Sequence, residues 1–179
     1  MKYILKSVLV LFSFGILSLN AEMKSKVQSS SINFTIKNAG LKVNGKFTEI
    51  EVKANFDDLN LAKSSIVGFA KASSISTGIG LRDSHLKEKE EFFNVKKYPT
   101  LELKSVSFKE ISKGKYESLF DLTIKGITKR IKIEMISKEL NGVVTLESKF
   151  IINRNSWNIG GDSFTMGDMV TVNLKTQIK

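Results

Sequence analysis

The sequence predicts an all-β fold: an antiparallel, eight-stranded barrel with one short helix between its middle strands. Two observations lead to this fold class. Apolar and polar residues alternate in most of the chain after residue 30, which is typical of strands with one buried and one solvent-facing side. Only one long segment, residues 77–99, has a helical pattern. Many strands with few long connections favour a barrel or a sandwich, and an eight-stranded barrel has room for one small ligand.

The predicted strands follow one another with short connections. They are centred on runs with apolar residues at alternate positions: Ile32–Ile36, Leu41–Phe47, Val52–Phe56, Ile66–Ala72, Leu101–Phe108, Tyr116–Ile124, Ile131–Met135, Val144–Ile152 and Val170–Ile178. Between Leu103 and Val106 the alternation changes parity, which predicts a β-bulge near Ser105. The Asn141-Gly142 pair is typical of a tight hairpin turn. Residues 153–169 are rich in Gly and Asn and predict a long surface loop, a kind of segment that often carries function.

The helical segment contains the single His and the single Pro of the chain. Asp83 is placed to cap a helix that runs from about Ser84 to Glu91. Leu86 and Phe93 then lie two turns apart on one face of that helix. We therefore expect Leu86, Phe93 and Phe92 to pack against the barrel and to close one end of it.

Residues 1–21 predict an export signal. Lys2 and Lys6 precede an uncharged apolar stretch that is shorter than the about 20 residues needed to span a bilayer. Cleavage near Ala21 would leave residues 22–179 as one domain in the periplasm or outside the cell, and an uncleaved membrane anchor is the alternative. The chain has no Cys, which excludes disulfides, thiolate metal sites and a Cys nucleophile.

The formal net charge is +10 at pH 7, from 28 Lys and Arg against 18 Asp and Glu. The basic residues are dispersed and often alternate with apolar ones, as in residues 125–133, which puts them on the solvent face of strands. A nucleic-acid groove would instead need clustered cations beside exposed aromatic side chains. Nucleic acid is therefore not expected as a partner, whereas weak contact with an anionic membrane surface is.

Few residues suggest catalysis. His85 lacks the Cys or second His that a metal site would need, and neither G-x-S-x-G nor H-E-x-x-H occurs. We expect Arg82 and Asp83 to form a charge-assisted pair that fixes the turn before the helix, with contact of Arg82 to a lipid phosphate as the alternative. His85 is expected to donate a hydrogen bond to a loop carbonyl. No catalytic residue, metal site or cofactor is predicted.

Four parts of the chain resemble the YceI-like family. The most specific is residues 77–99, with Thr-Gly, then Arg-Asp-x-His-Leu, Phe-Phe and Tyr-Pro. Ser30–Phe47, Leu122–Lys129 and Phe150–Gly160 are similar to the family's first hairpin, its strand–Gly–Thr hairpin and its penultimate strand. The first hairpin departs from the pattern, because Asn38 stands where the family usually has His. This departure weakens any argument that a pair of histidines handles the head group of a ligand.

The resemblance implies a periplasmic, lipocalin-like barrel that holds a polyisoprenoid, an isoprenoid quinone or a fatty-acid derivative and has no catalytic activity. We expect the ligand to be lined by Phe34, Ile36, Val43, Phe47, Phe69, Leu86, Phe92, Phe93, Leu103, Phe120, Leu122, Phe150 and Trp157. Arg82, His85 and Arg154 are expected at the mouth. The alternatives are a basic module that adheres to membranes or partners without an internal ligand, and an enzyme acting on a periplasmic lipid. An edge- or lid-mediated homodimer is compatible with this architecture.

Overall fold

A computed structural model describes residues 26–179, so the predicted signal peptide lies outside the described residues. This part of the chain forms ten strands: β1 (Val27–Asn38), β2 (Leu41–Phe47), β3 (Ile50–Asn55), β4 (Ser65–Lys71), β5 (Ile75–Ser76), β6 (Thr100–Ser112), β7 (Lys115–Ile124), β8 (Ile127–Leu140), β9 (Val143–Asn153) and β10 (Met169–Ile178). One α-helix, α1 (Gly80–Glu88), follows β5. Three short 3₁₀ helices span Leu61–Lys63, Ala72–Ser74 and Arg154–Trp157. No helix within residues 26–179 has the length and apolar character that crossing a membrane requires.

All ten strands belong to one antiparallel sheet, in the order β3-β4-β6-β7-β8-β9-β10-β1-β2-β5. The sheet curls on itself because β2 and β3 lie near opposite ends of this order but are separated in the chain only by Thr48-Glu49. At this seam the Thr48 amide donates to the Ser74 carbonyl at 3.2 Å, and the Lys71 amide donates to the Glu49 carbonyl at 3.0 Å. The all-β class, the antiparallel pairing and the single short α-helix are therefore confirmed.

The prediction of eight strands is wrong, because residues 26–179 form ten. Eight are obtained only if β2 and β3 are counted as one strand bent at Thr48-Glu49 and the two-residue β5 is left out. Strand β5 pairs with the end of β2 through Lys46↔Ser76 and Phe47↔Ile75. Such a short pairing depends on the tertiary position of the two segments and has no alternating pattern of its own.

Two-residue turns join several neighbouring strands. In Ala39-Gly40, Lys125-Gly126 and Asn141-Gly142 both residues have positive φ, the type I′ geometry that matches the twist of the flanking strands. The predicted tight hairpin at Asn141-Gly142 is therefore confirmed. The predicted bulge is also confirmed, because the β6–β7 register shifts between Ser105 and Ser107.

The two ends of the barrel are built differently. We call the end with the turns Ala39-Gly40 and Lys125-Gly126, helix α1 and the loop of residues 158–168 the open end. We call the opposite end, which has the Asn141-Gly142 turn, the closed end. Most of the long strands run from one end to the other, so each contributes residues to both.

The closed end is filled by an aromatic cluster. Its four rings meet edge to face with centroid separations between 5.1 and 5.9 Å: Tyr116 with Phe56, Phe56 with Phe108, and Phe108 with Phe120. Around these rings pack the buried residues Ala54, Met135, Leu146 and Ile178. Edge-to-face pairs each add about 0.5–1.5 kcal/mol beyond the area they bury, so this end is a well-packed core.

Helix α1 is displaced from its predicted position. It begins at Gly80 rather than at about Ser84, and its N-terminus has no side-chain cap. The prediction that Asp83 caps the helix is wrong, because its carboxylate accepts instead from the amide of Thr77 at 2.8 Å and from the Thr77 hydroxyl. Asp83 therefore ties the first turn of the helix to the segment that precedes it.

The helix also ends earlier than predicted. Lys89 has an extended backbone, with φ −72° and ψ 140°, and it terminates the helix after Glu88. Phe92 and Phe93 consequently follow the helix instead of lying on its face. The Phe93 amide still donates to the Leu86 carbonyl at 3.0 Å, which folds this segment back against α1.

Candidate functional site: the cavity at the open end

The open end of the barrel encloses a cavity of about 240 Å³. Strand side chains alternate between inward and outward positions, and most of the wall consists of inward, apolar ones. The strands contribute Ile32, Phe34, Ile36, Val43, Phe47, Ile50, Val52, Ile66, Gly68, Ala70, Ile75, Leu101, Leu103, Leu122, Ile124, Phe150, Ile152, Val170, Val172 and Leu174. None of the four rings of the closed-end cluster lines it.

Twelve of the sixteen predicted binding residues line this cavity. They are Phe34, Ile36, Val43, Phe47, Phe69, Arg82, Leu86, Phe92, Leu103, Leu122, Phe150 and Arg154. His85, Phe93, Phe120 and Trp157 do not line it. Contact of any of the sixteen with a ligand stays a prediction.

Three of the aromatic residues outside the cavity have packing roles. Phe93 meets Phe47 edge to face at 6.0 Å and supports the wall from behind. Trp157 is buried, and its indole N–H donates to the carbonyl of Leu122 at 3.2 Å. Phe120 belongs to the aromatic cluster of the closed end. Phe93 and Trp157 therefore support the cavity wall without forming its surface, whereas Phe120 belongs to the core of the other end.

His85 lies on α1 with an exposed side chain and is not part of the cavity wall. The hydrogen bond that we expected from its ring to a loop carbonyl is not formed with any described residue. No group of three His, Cys, Asp or Glu side chains within residues 26–179 is arranged to hold a metal ion.

Phe34 owes its position in the wall to a glycine on the neighbouring strand. The β1–β2 register places Gly45 directly opposite Phe34, and a Cβ atom at residue 45 would overlap the Phe34 ring. The ring also lies 5.9 Å from that of Phe47. The missing side chain at residue 45 therefore lets the Phe34 ring lie over the strand instead of projecting further into the cavity.

Phe69 contributes to the wall in a different way. Its neighbours Gly68 and Ala70 occupy inward positions on β4, so the Phe69 side chain lies on the outer face, in register with Glu51 and Glu102. We assign its contribution to the wall to its main chain. The residue type alone does not indicate whether the side chain faces the barrel interior or the outside.

Arg154 borders the cavity but is 2% exposed, and its hydrogen bonds are all made within the chain. Its guanidinium has five N–H donors. They reach the carbonyls of Ile159, Gly161, Met166 and Gly167 and the carboxylate of Asp168, at distances of 2.7 to 3.2 Å. Because no donor remains, we expect Arg154 to organise the loop of residues 158–168 and not to bind a head group.

Arg82 also lines the cavity and keeps part of its hydrogen-bonding capacity. Its Nε donates to the hydroxyl of Thr77 at 2.7 Å, and its Nη2 donates to the Thr77 carbonyl at 2.9 Å. The same hydroxyl donates to Asp83, so the predicted direct Arg82–Asp83 pair is wrong in detail: Thr77 links them. Nη1 of Arg82 has no hydrogen-bond partner within residues 26–179.

Lys125 fastens the loops of the open end to one another. Its ammonium donates to the carbonyl of Glu90 at 2.8 Å and to the carbonyl of Asn158 at 2.7 Å. Burial lowers the pKa of Lys125 below its ordinary value. The Lys125-Gly126 turn, the segment after α1 and the last loop thus form one connected cover over part of the open end.

Sequence reasoning missed several residues of the wall. They include Ile124, Ile152, Val170, Val172 and Leu174. Each shares the parity of a neighbouring lining residue on its own strand or on a paired strand, such as Leu122 or Phe150. A search that assigned one parity to each whole strand would have found them.

A family model described as a YceI-like domain matches residues 24–178. The chain belongs to the YceI-like family. It is 30% identical over 135 residues to a UPF0312 protein of Photorhabdus laumondii, a match that covers 75% of this chain and 68% of that protein. It is 31% identical over 110 residues to a UPF0312 protein of Vibrio cholerae, but this match covers only 61% of the chain and 58% of the relative.

Solved structures share the fold of this YceI-like chain. BcnA of Burkholderia cenocepacia superposes with a TM-score of 0.79 at 20% identity, covering 83% of this chain and 95% of that one. A polyisoprenoid-binding domain from Saccharophagus degradans gives a TM-score of 0.67 at 11% identity, with 87% and 97% covered. The YceI protein of Campylobacter jejuni gives 0.67 at 24% identity, with 75% and 83% covered. At these identities the likeness is one of fold.

Proposed function

We propose that this YceI-like protein is exported to the periplasm, where it binds a long apolar ligand in the open-end cavity and sequesters or carries it. The ligand class we propose is a polyisoprenoid, an isoprenoid quinone or a fatty-acid derivative. The observation that carries the proposal is a cavity with an almost continuous apolar wall in a barrel whose other end is packed. The fold likeness to a polyisoprenoid-binding domain from Saccharophagus degradans supports the same ligand class.

The size of the cavity suggests how such a ligand would bind. At about 240 Å³ it is smaller than the about 300–1,000 Å³ of sites that enclose a whole drug-sized molecule. Each buried methylene contributes about 0.8 kcal/mol, so about ten of them supply on the order of 8 kcal/mol before ordering costs. We therefore expect one part of the ligand's apolar chain to be buried in the cavity and its head group to remain at the open end.

Arg82 is the residue we propose for contact with an anionic head group. It borders the cavity, and its Nη1 is not engaged by any described residue, whereas every donor of Arg154 is. In Arg82→Gln we expect weaker binding of a prenyl phosphate and unchanged binding of the matching prenol, because only the phosphate uses the guanidinium charge. Equal losses for the phosphate and the prenol would show that Arg82 acts only through the fold of the 77–83 segment.

The decisive experiment fills the cavity from inside. Gly68 lines the wall, and the only atom within 4 Å of a Cβ there is a Val52 methyl carbon at 3.8 Å, so Gly68→Phe places a ring in the cavity. The matched control is Val67→Phe, which adds bulk on the outer face of the same strand, in register with Lys53 and Lys104. Protein purified from the native host should yield a long-chain lipid on organic extraction and mass spectrometry, as should the control, whereas Gly68→Phe should yield little.

Lipid-free extracts from the wild type, together with no uptake of prenyl or fatty-acyl probes, would contradict the carrier function. Equal lipid content in Gly68→Phe and Val67→Phe would place the ligand elsewhere. Export is tested by the mass of the periplasmic protein, which should correspond to a chain that begins at Glu22. We propose a binding function without catalysis, because no nucleophilic side chain within residues 26–179 is hydrogen-bonded to His85.

A further inference from the structure

Four large apolar side chains are exposed at the open end. Leu41 is 73% exposed, Ile79 is 53%, Leu81 is 70%, and Phe164 is fully exposed. They belong to three segments, residues 36–43, 77–82 and 159–167, and each of these segments also contributes residues to the cavity wall. We call these three segments the rim. These four exposed apolar residues therefore lie around the opening of the proposed binding site.

Hydrogen bonds hold two of the three rim segments beside one another, and strand β5 links the third to the same sheet. The Ala39 amide donates to the Thr165 carbonyl at 2.7 Å, and the Gly167 amide donates to the Lys37 carbonyl at 2.8 Å. These bonds place the loop that carries Phe164 against the hairpin that carries Leu41. The third segment follows β5, which pairs with the outer edge of β2. The four exposed side chains thus lie on one connected structure and not on separate loops.

The rim hairpin carries two like charges side by side. On the paired strands β7 and β8, by contrast, Arg130 pairs with Asp121 and Lys132 pairs with Glu117, both at 2.9 Å. Lys37 and Lys42 stand directly opposite each other in the β1–β2 register, and no described carboxylate pairs with either. Like charges directly opposite each other are destabilising, and an anionic partner relieves that repulsion.

Acidic residues do not cancel this charge. The rim segments contain three basic residues, Lys37, Lys42 and Arg82, against one acidic residue, Asp162, which is exposed on the last loop. The rim therefore combines exposed Leu, Ile and Phe side chains with lysines that lack partners among the described residues, the composition of a surface that lies in the headgroup region of a bilayer.

We propose that the rim docks on an anionic lipid bilayer. Leu41, Ile79, Leu81 and Phe164 enter the interface, while Lys37 and Lys42 contact lipid phosphates. In this orientation the cavity opens towards the acyl chains, so an apolar ligand passes between membrane and barrel without crossing water. The transfer of a ligand between membrane and barrel rests on the proposed function, because it requires a ligand that binds in the cavity. Docking of the rim on a bilayer does not depend on the proposed function.

The test is flotation with vesicles of phosphatidylcholine, with and without phosphatidylglycerol. We expect the wild type to float with the anionic vesicles and to be released by added salt. The double variant Leu81→Ser/Phe164→Ser should bind at least about tenfold more weakly, because its insertion area is lost. Lys37→Gln/Lys42→Gln should lose the preference for phosphatidylglycerol.

The matched control is Leu59→Ser/Leu140→Ser, which removes two exposed leucines of the closed end, 95% and 74% exposed. It should bind as the wild type does. Equal losses in the control and the rim variant, or no binding of the wild type to anionic vesicles, would overturn the proposal. So would a self-association of the wild type that the rim variant abolishes, since the rim would then cover a second copy of the chain.

Organic extraction separates this proposal from the carrier function. A rim variant that keeps its bound lipid but no longer floats supports docking and leaves the carrier function intact. A wild type without lipid that still floats through the rim supports docking, and the carrier function then fails. Circular dichroism of each variant verifies that the barrel remains folded.

Discussion

The two ends of this barrel are made from the same strands but packed in opposite ways. On β10, Ile178 is buried in the closed-end core, whereas Val172 and Leu174 are half-buried and line the cavity. On β7 the corresponding contrast is between Tyr116 in the aromatic cluster and Leu122 in the cavity wall. The alternation of apolar and polar residues is the same at both ends. What differs is how completely the inward side chains fill the interior of the barrel.

Large rings fill the closed end, and small residues leave space at the open end. Two inward positions of the cavity wall, Gly68 and Ala70, have little or no side chain, and Gly45 leaves room for the Phe34 ring that borders the cavity. A protein interior is normally packed to the density of an organic crystal, so an apolar space of this size lowers stability unless it is used. The contrast teaches that a binding cavity in such a barrel is set by where glycine and alanine replace bulky residues.

The largest effect we expect comes from removing the same ring at each end. Phe120→Ala leaves a void in the closed-end cluster and should lower the free energy of unfolding by about 3–5 kcal/mol. Phe34→Ala removes a ring that already borders empty space and should cost less, about 1–2 kcal/mol, while weakening ligand binding. Urea denaturation measures the first quantity and probe titration the second. If Phe120→Ala reduced the free energy of ligand binding more than the free energy of unfolding, the boundary between the two ends would be misplaced.

A smaller effect is expected at the loop that covers the open end. Arg154→Lys keeps the charge but supplies three donors in place of five, so buried carbonyls of residues 158–168 lose partners. We expect the free energy of unfolding to fall by about 2–3 kcal/mol. Hydrogen exchange should quicken in residues 158–168 and stay unchanged in the closed-end strands. Uniform acceleration across the barrel would show that the two ends do not unfold separately.

Gly45→Ala tests the space at the open end more finely. The added methyl group overlaps the Phe34 ring, which must move into the cavity, with a cost of about 1–3 kcal/mol. We expect a lower capacity for thick prenyl chains and little change for thin saturated acyl chains, measured by competition between the two probe types. Unchanged competition would indicate that the ring moves away from the ligand path.

The smallest effect is on the outer face, which both ends share. Hydrogen bonds from Lys132, Arg130 and Lys175 hold the pKa values of Glu117, Asp121 and Glu147 below their ordinary range. A carboxylate with a lowered folded-state pKa stabilises the fold above its unfolded pKa, and this contribution disappears as the pH falls below about 4. Because all three are on the solvent-facing side, the loss should be small and should shrink further in high salt. Urea midpoints measured across this pH range at two salt concentrations provide the test.

Much of this fold could be predicted because its signals are local. Alternation revealed the long strands, Asn141-Gly142 gave a turn, and the parity change near Ser105 gave the bulge. The start of α1 could not be predicted, because Asp83 is a good capping residue whose carboxylate is taken by Thr77 through the geometry of the turn. Strand β5 was missed since two residues are too few for a periodic pattern.

The candidate site was predicted only in part, because depth along the barrel is not a local property. Phe120 and Phe150 look alike in sequence, yet one belongs to the closed-end cluster and the other to the cavity wall. Their levels depend on the stagger of neighbouring strands, which the register of the whole sheet determines. Phe69 shows that the inward or outward direction of a side chain is equally hard to predict. An outward aromatic residue between glycine and alanine looks the same in the sequence as an inward one.

The seam at Thr48-Glu49 is the place where the barrel can widen most easily. Widening the barrel between paired strands such as β9 and β10 would break a continuous ladder of hydrogen bonds. Widening it at the seam would break only a few bonds, chiefly those that join Thr48 to Ser74 and Lys71 to Glu49. Under the proposed function, we expect the aromatic cluster to limit how deep a ligand chain enters and the seam to limit how thick a ligand chain is accepted. Branched and unbranched ligand chains would then reach the same depth in the cavity but require different widths of the barrel.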